Sequence, residues 1–574
     1  MILILGYHST PAHTRARYLL LVSIAPGGAA LFFFACGAAD AASEHLFFTR
    51  GVGGRAIARF CQASGGGMEQ ALLVLTFGAY GILLLILFVY GVNFMYLTWM
   101  AARPSGADPA LPSLTRTPYV GVHLPIYNEL YVAERLINAA AQLDWDRERL
   151  EILALDDSTD ETREVVRKAV EYWRARGVNI QHIHRADRRG FKAGALTAGL
   201  QASRAELIAY FDADFVPPRD FLQRTIPHFE NPQLGFIQTR WGHLNRDYSL
   251  LTFLQALSID AHFLVEQFAR FRGGFWFNFN GTGGIWRRQA ILDAGGWTQD
   301  TLTEDLDLSY RSFFKGWQAI YLRDVVAPAE LPVTLAAYRR QQRRWAQGSL
   351  QCAAKLLPQV WRAPLRVGKK FEATLHLTGY MIHLYMFALM LLLPAVIYCA
   401  QRVPVLSGWW NVAALFGLGT LAPAMFFTFV HEELGRNKWR KIPLVLFFTA
   451  LGAGLMPNTV RAAWALARGR SKTFERTPKF GIDRENSTWV EKKYNLPLDG
   501  ATLFEIFIAL WNLGVFWYAV QTSNWVIACY AAIFFTGASF VASQALLQAW
   551  RERRYLKQRM HAQPALDASG AEVN

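Results

Sequence analysis

The sequence predicts an α/β domain of about 250 residues inserted between transmembrane helices, within a polytopic α-helical membrane protein. Three observations predict it. Charged residues are only 18% of the 574 and hydrophobic ones 52%, whereas a soluble globular chain carries roughly 25% charge. Several uncharged runs are long enough to cross a hydrocarbon core of about 30 Å. Between them, from Tyr119 to about Leu357, short β-rich runs alternate with helical stretches, the pattern of a mainly parallel sheet. An aromatic content of 14% excludes a disordered chain. The five cysteines are scattered without CxxC or zinc spacing, which excludes a disulfide scaffold and a thiolate metal site. The net charge of +15 suits anionic lipid, nucleic acid or an anionic substrate.

Taken in order, residues 1–116 form an N-terminal membrane region with spans at about 18–37 and 71–97. The first reads as a signal anchor in preference to a cleaved signal peptide, on its length. Residues 117–365 form the α/β domain. Residues 366–550 form a second membrane region with spans at about 373–400, 409–430, 503–521 and 524–548, followed by a polar, basic tail at 551–574. Arg362, Arg366, Lys369 and Lys370 precede the third span, and Arg436, Lys438, Arg440 and Lys441 follow the fourth. This bias places those ends, and the α/β domain with them, in the cytoplasm. Residues 442–464 are apolar but hold Gly452, Gly454, Pro457 and Arg461. If they spanned, the Arg- and Lys-rich segment 465–500 would be exported, so they read as an interfacial or re-entrant helix.

Inside the domain the expected strands are 119–125, 150–157, 177–184, 205–214 and 234–239, with helices at 129–143 and 160–175. Ligands of open α/β sheets bind at the carboxyl ends of strands, and two of these strands end in paired acids, Asp156-Asp157 and Asp212-Ala213-Asp214. A lone strand-end Asp more often caps a turn. Two pairs ending apolar strands point instead to Mg²⁺ or Mn²⁺ held together with phosphate oxygens, with Asp212 and Asp214 as metal ligands. Lys192, among small residues at a helix start, suits phosphate. Thr303-Glu304-Asp305 offers carboxylates for proton abstraction, although an acidic helix start explains them too. Gln341-Gln342-Arg343-Arg344-Trp345 reads either as a basic amphipathic helix at a membrane surface or as a sugar-stacking Trp beside a diphosphate-binding Arg.

In this order and at these spacings the motifs resemble the membrane-embedded processive family 2 glycosyltransferases of the cellulose synthase superfamily. The strings LDDSTDET, FKAGAL, IAYFDADF, FNFNGTGGIWRR and YRRQQRRWAQG are most similar to the plant cellulose-synthase-like A and C proteins, which make (gluco)mannan or glucan backbones. The resemblance implies a GT-A-type catalytic domain. It implies that Asp156, Asp157, Lys192, Asp212 and Glu304 serve the donor nucleotide, that Asp212 and Asp214 hold the metal, and that Asp305 is the catalytic base. Gln341, Arg344 and Trp345 would hold the diphosphate and the acceptor end. Phe474, Thr477 and Lys479, within 471–485, look like a gating loop, with an inserted Glu-Arg pair and a Pro departing from its usual wording. The implied activity is inverting polymerisation of hexose from UDP-glucose or GDP-mannose into a β-1,4-type glucan or (gluco)mannan, exported across the plasma or inner membrane. The partners are then the nucleotide-sugar, the growing polysaccharide and the bilayer, with accessory export proteins or a homo-oligomer in addition, and no nucleic acid. The alternatives are a glycolipid-forming transferase of the ceramide type, which shares the QxxRW-like motif, and a non-catalytic channel or assembly subunit.

Overall fold

The computed structural model describes residues 67–103, 108–402, 422–434, 442–469, 475–482, 488–497 and 499–569. The chain divides into two units, Met1–Leu73 and Val74–Asn574. In the first, the described residues 67–73 are helical; the expected span at 18–37 lies outside the described residues. The second unit holds the sheet.

Seven strands form one mixed sheet in the order β3-β2-β1-β4-β6-β5-β7. They are β1 (Val120–Ile126), β2 (Leu150–Asp156), β3 (Ile180–His184), β4 (Leu207–Tyr210), β5 (Leu234–His243), β6 (Gly284–Arg287) and β7 (Gln318–Ala329). β1 to β4 are mutually parallel, β6 runs antiparallel between β4 and β5, and β5 and β7 are parallel. The expected strands sit at the expected places, but β6 and β7 are additions. β6 is four residues long and follows a glycine-rich turn that hides its period, and β7 carries polar residues along its length. The strand expected over 205–214 ends at Tyr210, so Asp212 and Asp214 lie in the turn beyond it.

β2 is buried on both faces, as suits a strand that is apolar except for Glu151 and Asp156. Leu150, Ile152 and Ala154 face a core shared with α2 (Ala133–Ala140) and α3 (Thr162–Arg174). Leu153 and Leu155 face a second core, shared with α4 (Phe191–Ala202), α5 (Leu250–Ala261) and Leu97 of the long helix α1 (Gly67–Ala102). Ile126 is level with Asp156 in the register, and Phe211 N donates to His123 O. The carboxyl ends of β1, β2 and β4 therefore open side by side.

α6 (Glu304–Phe314) precedes β7, and beyond β7 the described helices are α7 (Leu335–Arg362), α8 (Val367–Leu377), α9 (Met381–Arg402), α10 (Ala422–Glu433), α11 (Ile442–Ala467), α12 (Ala501–Gln521) and α13 (Trp525–Ser569). Among the described residues four helices are long and apolar enough to cross a membrane: Leu72–Ala102, Met381–Arg402, Ala501–Gln521 and Trp525–Gln558. The span expected from residue 373 starts instead at Met381, because 373–377 belong to α8. That helix is fastened by polar contacts: Glu372 to Arg270 at 2.9 Å and His376 to Tyr310 Oη at 2.8 Å. Of the span expected at 409–430, residues 422–430 are described and lie in α10. The segment 442–464 is an unbroken helix, α11, crossing α13 where Gly454 meets Gly537 backbone to backbone. Small residues at such a crossing let two helices approach closely. Phe447 stacks edge-on against Phe540 nearby, and Asn458 Nδ2 donates to Arg339 O near the start of α7 at 2.8 Å.

Candidate active site

The carboxyl ends of β1 and β4, the start of α6, one face of α7 and the segment 475–480 enclose a cleft of about 1240 Å³, counting the space open to solvent at its mouth. Asp157, Lys192, Asp212, Asp214, Glu304, Asp305, Gln341, Arg344, Trp345, Thr477 and Lys479 all line it. Chain segments as far apart as Asp157 and Lys479 thus converge on one cavity. Asp156 does not line it: the side chain is fully buried, with Oδ2 2.8 Å from His182 Nε2 and Oδ1 accepting from Ser158 N at 2.8 Å. Burial acts to raise its pKa, and these hydrogen bonds outweigh it and hold the carboxyl below its usual range. Asp157 is the acid that reaches the cleft, gripped by Arg185 through two hydrogen bonds of 2.7 and 2.6 Å. Phe474 lies outside the described residues.

Lys192 stands at the centre. It enters from the first turn of α4, behind Gly190 in the left-handed conformation (φ 76°). Its Nζ lies 2.5 Å from Asp212 Oδ1 and 3.9 Å from Glu304 Oε1, and donates to Gly281 O at 3.0 Å. Burial pulls its pKa down, and the surrounding Asp212, Glu304 and Asp305 more than reverse that. Gly281 (φ 80°) lets the backbone pass beside Asp305; a Cβ there would sit 2.9 Å from Asp305 Oδ2.

Asp305 is in the first turn of α6, where the helix N-terminus favours an anion. Its Oδ1 accepts from Leu306 N at 2.9 Å, and its backbone carbonyl accepts from Ser309 Oγ at 2.6 Å. Burial, and then the like charge of Glu304, push its pKa up to about 7, against the pull of Lys192. A carboxylate in that range suits proton abstraction near neutral pH. Asp307 has a different place: it is fully buried, paired with Arg311 Nε at 2.7 Å and Lys355 Nζ at 2.7 Å.

Gln341, Arg344 and Trp345 follow helical spacing on α7, so they share the face turned to the cleft. Arg344 also donates to Glu475 O at 3.2 Å. Glu475–Ile482 forms a strap across the cleft. Arg476 makes two 3.1 Å contacts with Glu129, and Lys479 Nζ lies 2.5 Å from Asp214 Oδ2 and from Glu330 O. Glu330 also accepts from Phe480 N at 2.9 Å and Arg135 at 3.0 Å. Burial raises the Glu129 carboxyl to about 7, with Arg476 opposing.

Among the described residues no group of three His, Cys, Asp or Glu side chains converges as a ready-made metal cage. Asp212 and Asp214 nonetheless fit a hard divalent cation: they are two oxygen donors at the cleft wall, each already facing a positive charge, and substrate phosphate oxygens usually complete such a shell.

Sequence reasoning missed Glu129, Arg188, Glu330 and Arg476. Arg188 stacks 3.4 Å over Tyr127 at the cleft wall. Tyr127 and Glu129 directly follow β1, so the strand-end rule applied to the acids of β2 and β4 would have found them.

Residues 118–348 match the family described as Glycosyltransferase like family 2. Two rice proteins (Oryza sativa subsp. japonica), named probable glucomannan 4-beta-mannosyltransferase 7 and 11, are each 44% identical over 248 residues. Those residues are 42% of this chain and 42% and 44% of the relatives, so the match spans less than half the length of either. Among solved structures, a mannosyltransferase from Pyrobaculum calidifontis in complex with GDP-Man and Mn²⁺ aligns with 65% of this chain and 98% of its own, at 23% identity and a TM-score of 0.42. The domain at residues 118–348 is therefore similar, over its own length, to the family 2-like glycosyltransferases.

Proposed function

We propose that this chain is a processive, inverting β-glycosyltransferase that builds a mannan-type polymer from GDP-mannose and passes it across the membrane that its apolar helices span. The observation that carries this reading is the convergence of Asp212, Asp214, Lys192, Asp305 and Trp345 on one cleft. The names of the rice relatives support mannose as the transferred unit.

In this reading Asp305 takes the proton from the acceptor hydroxyl, which attacks the anomeric carbon from the face opposite the leaving diphosphate. One displacement turns an α-linked donor into a β-linkage, without a glycosyl-enzyme carboxylate. Lys192 and Arg344 offer cations to the departing diphosphate. Asp212 and Asp214 would hold Mg²⁺ or Mn²⁺, which when bound offsets the charge developing on that leaving group. Asp157 serves the nucleotide, Asp156 fixes the strand end from beneath, and Trp345 gives the acceptor ring an apolar face. Thr477 and Lys479, on the strap, close over the donor. The basic flanks support a cytoplasmic side for the α/β domain and the strap, with α11 along that membrane surface.

The test is incubation of membranes holding the full chain with radiolabelled GDP-mannose and, separately, UDP-glucose, followed by endo-β-mannanase or endo-β-glucanase. Mannanase-sensitive polymer from GDP-mannose is expected. Glucanase-sensitive polymer from UDP-glucose would move the donor assignment, and labelled lipid in place of polymer would overturn the processive reading.

A further inference from the structure

The acceptor-facing residues and the base sit on different helices, α7 and α6, and a single stripe of α7 keeps them in register. Arg344 and Trp345 open the stripe at the cleft. One turn on, Gly348 is pressed so closely to Thr303 that a Cβ there would lie 2.5 Å from Thr303 Cγ2 and 2.8 Å from its backbone N. A further turn on, Gln351 Oε1 accepts from Leu302 N at 2.8 Å, and Cys352 Sγ is 3.4 Å from Thr303 Oγ1. The stripe closes at Lys355, whose Nζ lies 2.7 Å from both Asp300 Oδ2 and Asp307 Oδ1. Positions 345, 348, 352 and 355 repeat at the three-and-four spacing of one helix face. Gly348, Cys352 and Lys355 all contact the segment 300–307 that presents Glu304 and Asp305.

Small residues allow the two elements to approach but do not by themselves fix their relative slide. An ion pair to an immobilised carboxylate does, and Asp307 is immobilised: its Oδ2 accepts from Arg311 Nε at 2.7 Å and from Thr298 Oγ1 at 2.9 Å. We propose that Lys355 is a positioning residue, whose ion pairs with Asp300 and Asp307 set α7 against the segment 300–307 and thereby the alignment of an acceptor on Trp345 with Asp305. The proposal rests on the reading above, in which Asp305 is the base and Trp345 carries the acceptor. Lys355 is ten residues beyond Trp345, about 15 Å along the helix, so it does not touch the reacting atoms.

The test compares Lys355→Met, which keeps the aliphatic stem, with Lys355→Arg, which keeps the charge, in the full chain in membranes. Transfer to polymer, hydrolysis of the donor by water and donor KM are read side by side. Lys355→Met should lower transfer by about 10²-fold, the effect of a misalignment near 1 Å, while donor KM stays within about twofold and hydrolysis falls much less. Lys355→Arg should restore most of the transfer. A lysine that merely stabilises the fold would lower both reactions together, and an unchanged ratio of transfer to hydrolysis overturns the proposal. If Lys355→Met fails to accumulate, Asp300→Asn removes one partner at a half-exposed position and should shift the ratio the same way by less; no shift there overturns it equally. Asp305→Asn run alongside separates the two readings. Loss of transfer in Asp305→Asn with an unchanged ratio in Lys355→Met removes only the positioning role, whereas full transfer in Asp305→Asn removes the base.

Discussion

Replacing Lys479 with Met should make the donor-free protein bind Mn²⁺ more tightly. The Lys479 ammonium lies 2.5 Å from Asp214 Oδ2, and the two side chains are only 7% and 17% exposed. A cation approaching Asp214 therefore has to displace that ammonium. A charge-assisted hydrogen bond contributes about 1.5–3 kcal/mol, and each 1.4 kcal/mol is about tenfold in affinity. Removing the competitor should then raise Mn²⁺ affinity by about 10- to 100-fold, measured by electron paramagnetic resonance titration of purified protein without nucleotide. Asp214→Asn is the control and should abolish the binding, since a neutral amide is a poor ligand for a hard cation. Unchanged or weaker Mn²⁺ binding by Lys479→Met would refute the competition and with it the placing of a metal at Asp214.

Three further outcomes follow from the cleft. The Asp305 carboxyl is pushed up to about 7 and a base works only when deprotonated, so kcat/KM should rise with pH through about 7 and fall tenfold per unit well below it; a flat profile from pH 5 to 8 would contradict the assignment. Trp345→Ala should reduce elongation more than donor hydrolysis, because an indole under the acceptor ring orients the hydroxyl without touching the leaving group; equal loss would make Trp345 structural. Gly281→Ala meets both a left-handed backbone (φ 80°) and the Asp305 carboxylate 2.9 Å from the added Cβ, a strain of about 1–3 kcal/mol. It should lower transfer at least about tenfold while the circular dichroism spectrum stays native.

The sequence made the parallel half of the sheet readable because β1, β2 and β4 are short, mostly apolar runs and β2 and β4 lead into acids, and both the apolar pattern and the strand-end chemistry are local signals. β6 was not readable, since an antiparallel insertion is specified by its neighbours β4 and β5 and not by its own four residues, and β7 was not because polar residues interrupt its apolar pattern. The end of α8, residues 373–377, was assigned to a span because apolar residues look alike whether they face lipid or a buried ion pair; the place of α8 becomes intelligible only with Glu372 beside Arg270. In the site, the acids, Lys192 and the Gln341–Trp345 motif were visible as residue types at fixed spacing. Asp156 was visible too, but whether an acid at a strand end faces the cleft or His182 is decided by side-chain direction, which a pair of adjacent aspartates leaves open. The link from Lys479 to Asp214 crosses 265 residues of chain, and no local pattern encodes it.

The central claim is that Asp305 removes the acceptor proton while other groups hold the donor. It is tested most directly by Asp305→Asn in the full chain, with the transfer rate measured beside the affinity for the nucleoside diphosphate. A general base contributes about 10²–10⁴-fold, so the account predicts a transfer rate lower by at least that factor and a diphosphate affinity within about twofold of the unaltered protein. Near-normal transfer would contradict it.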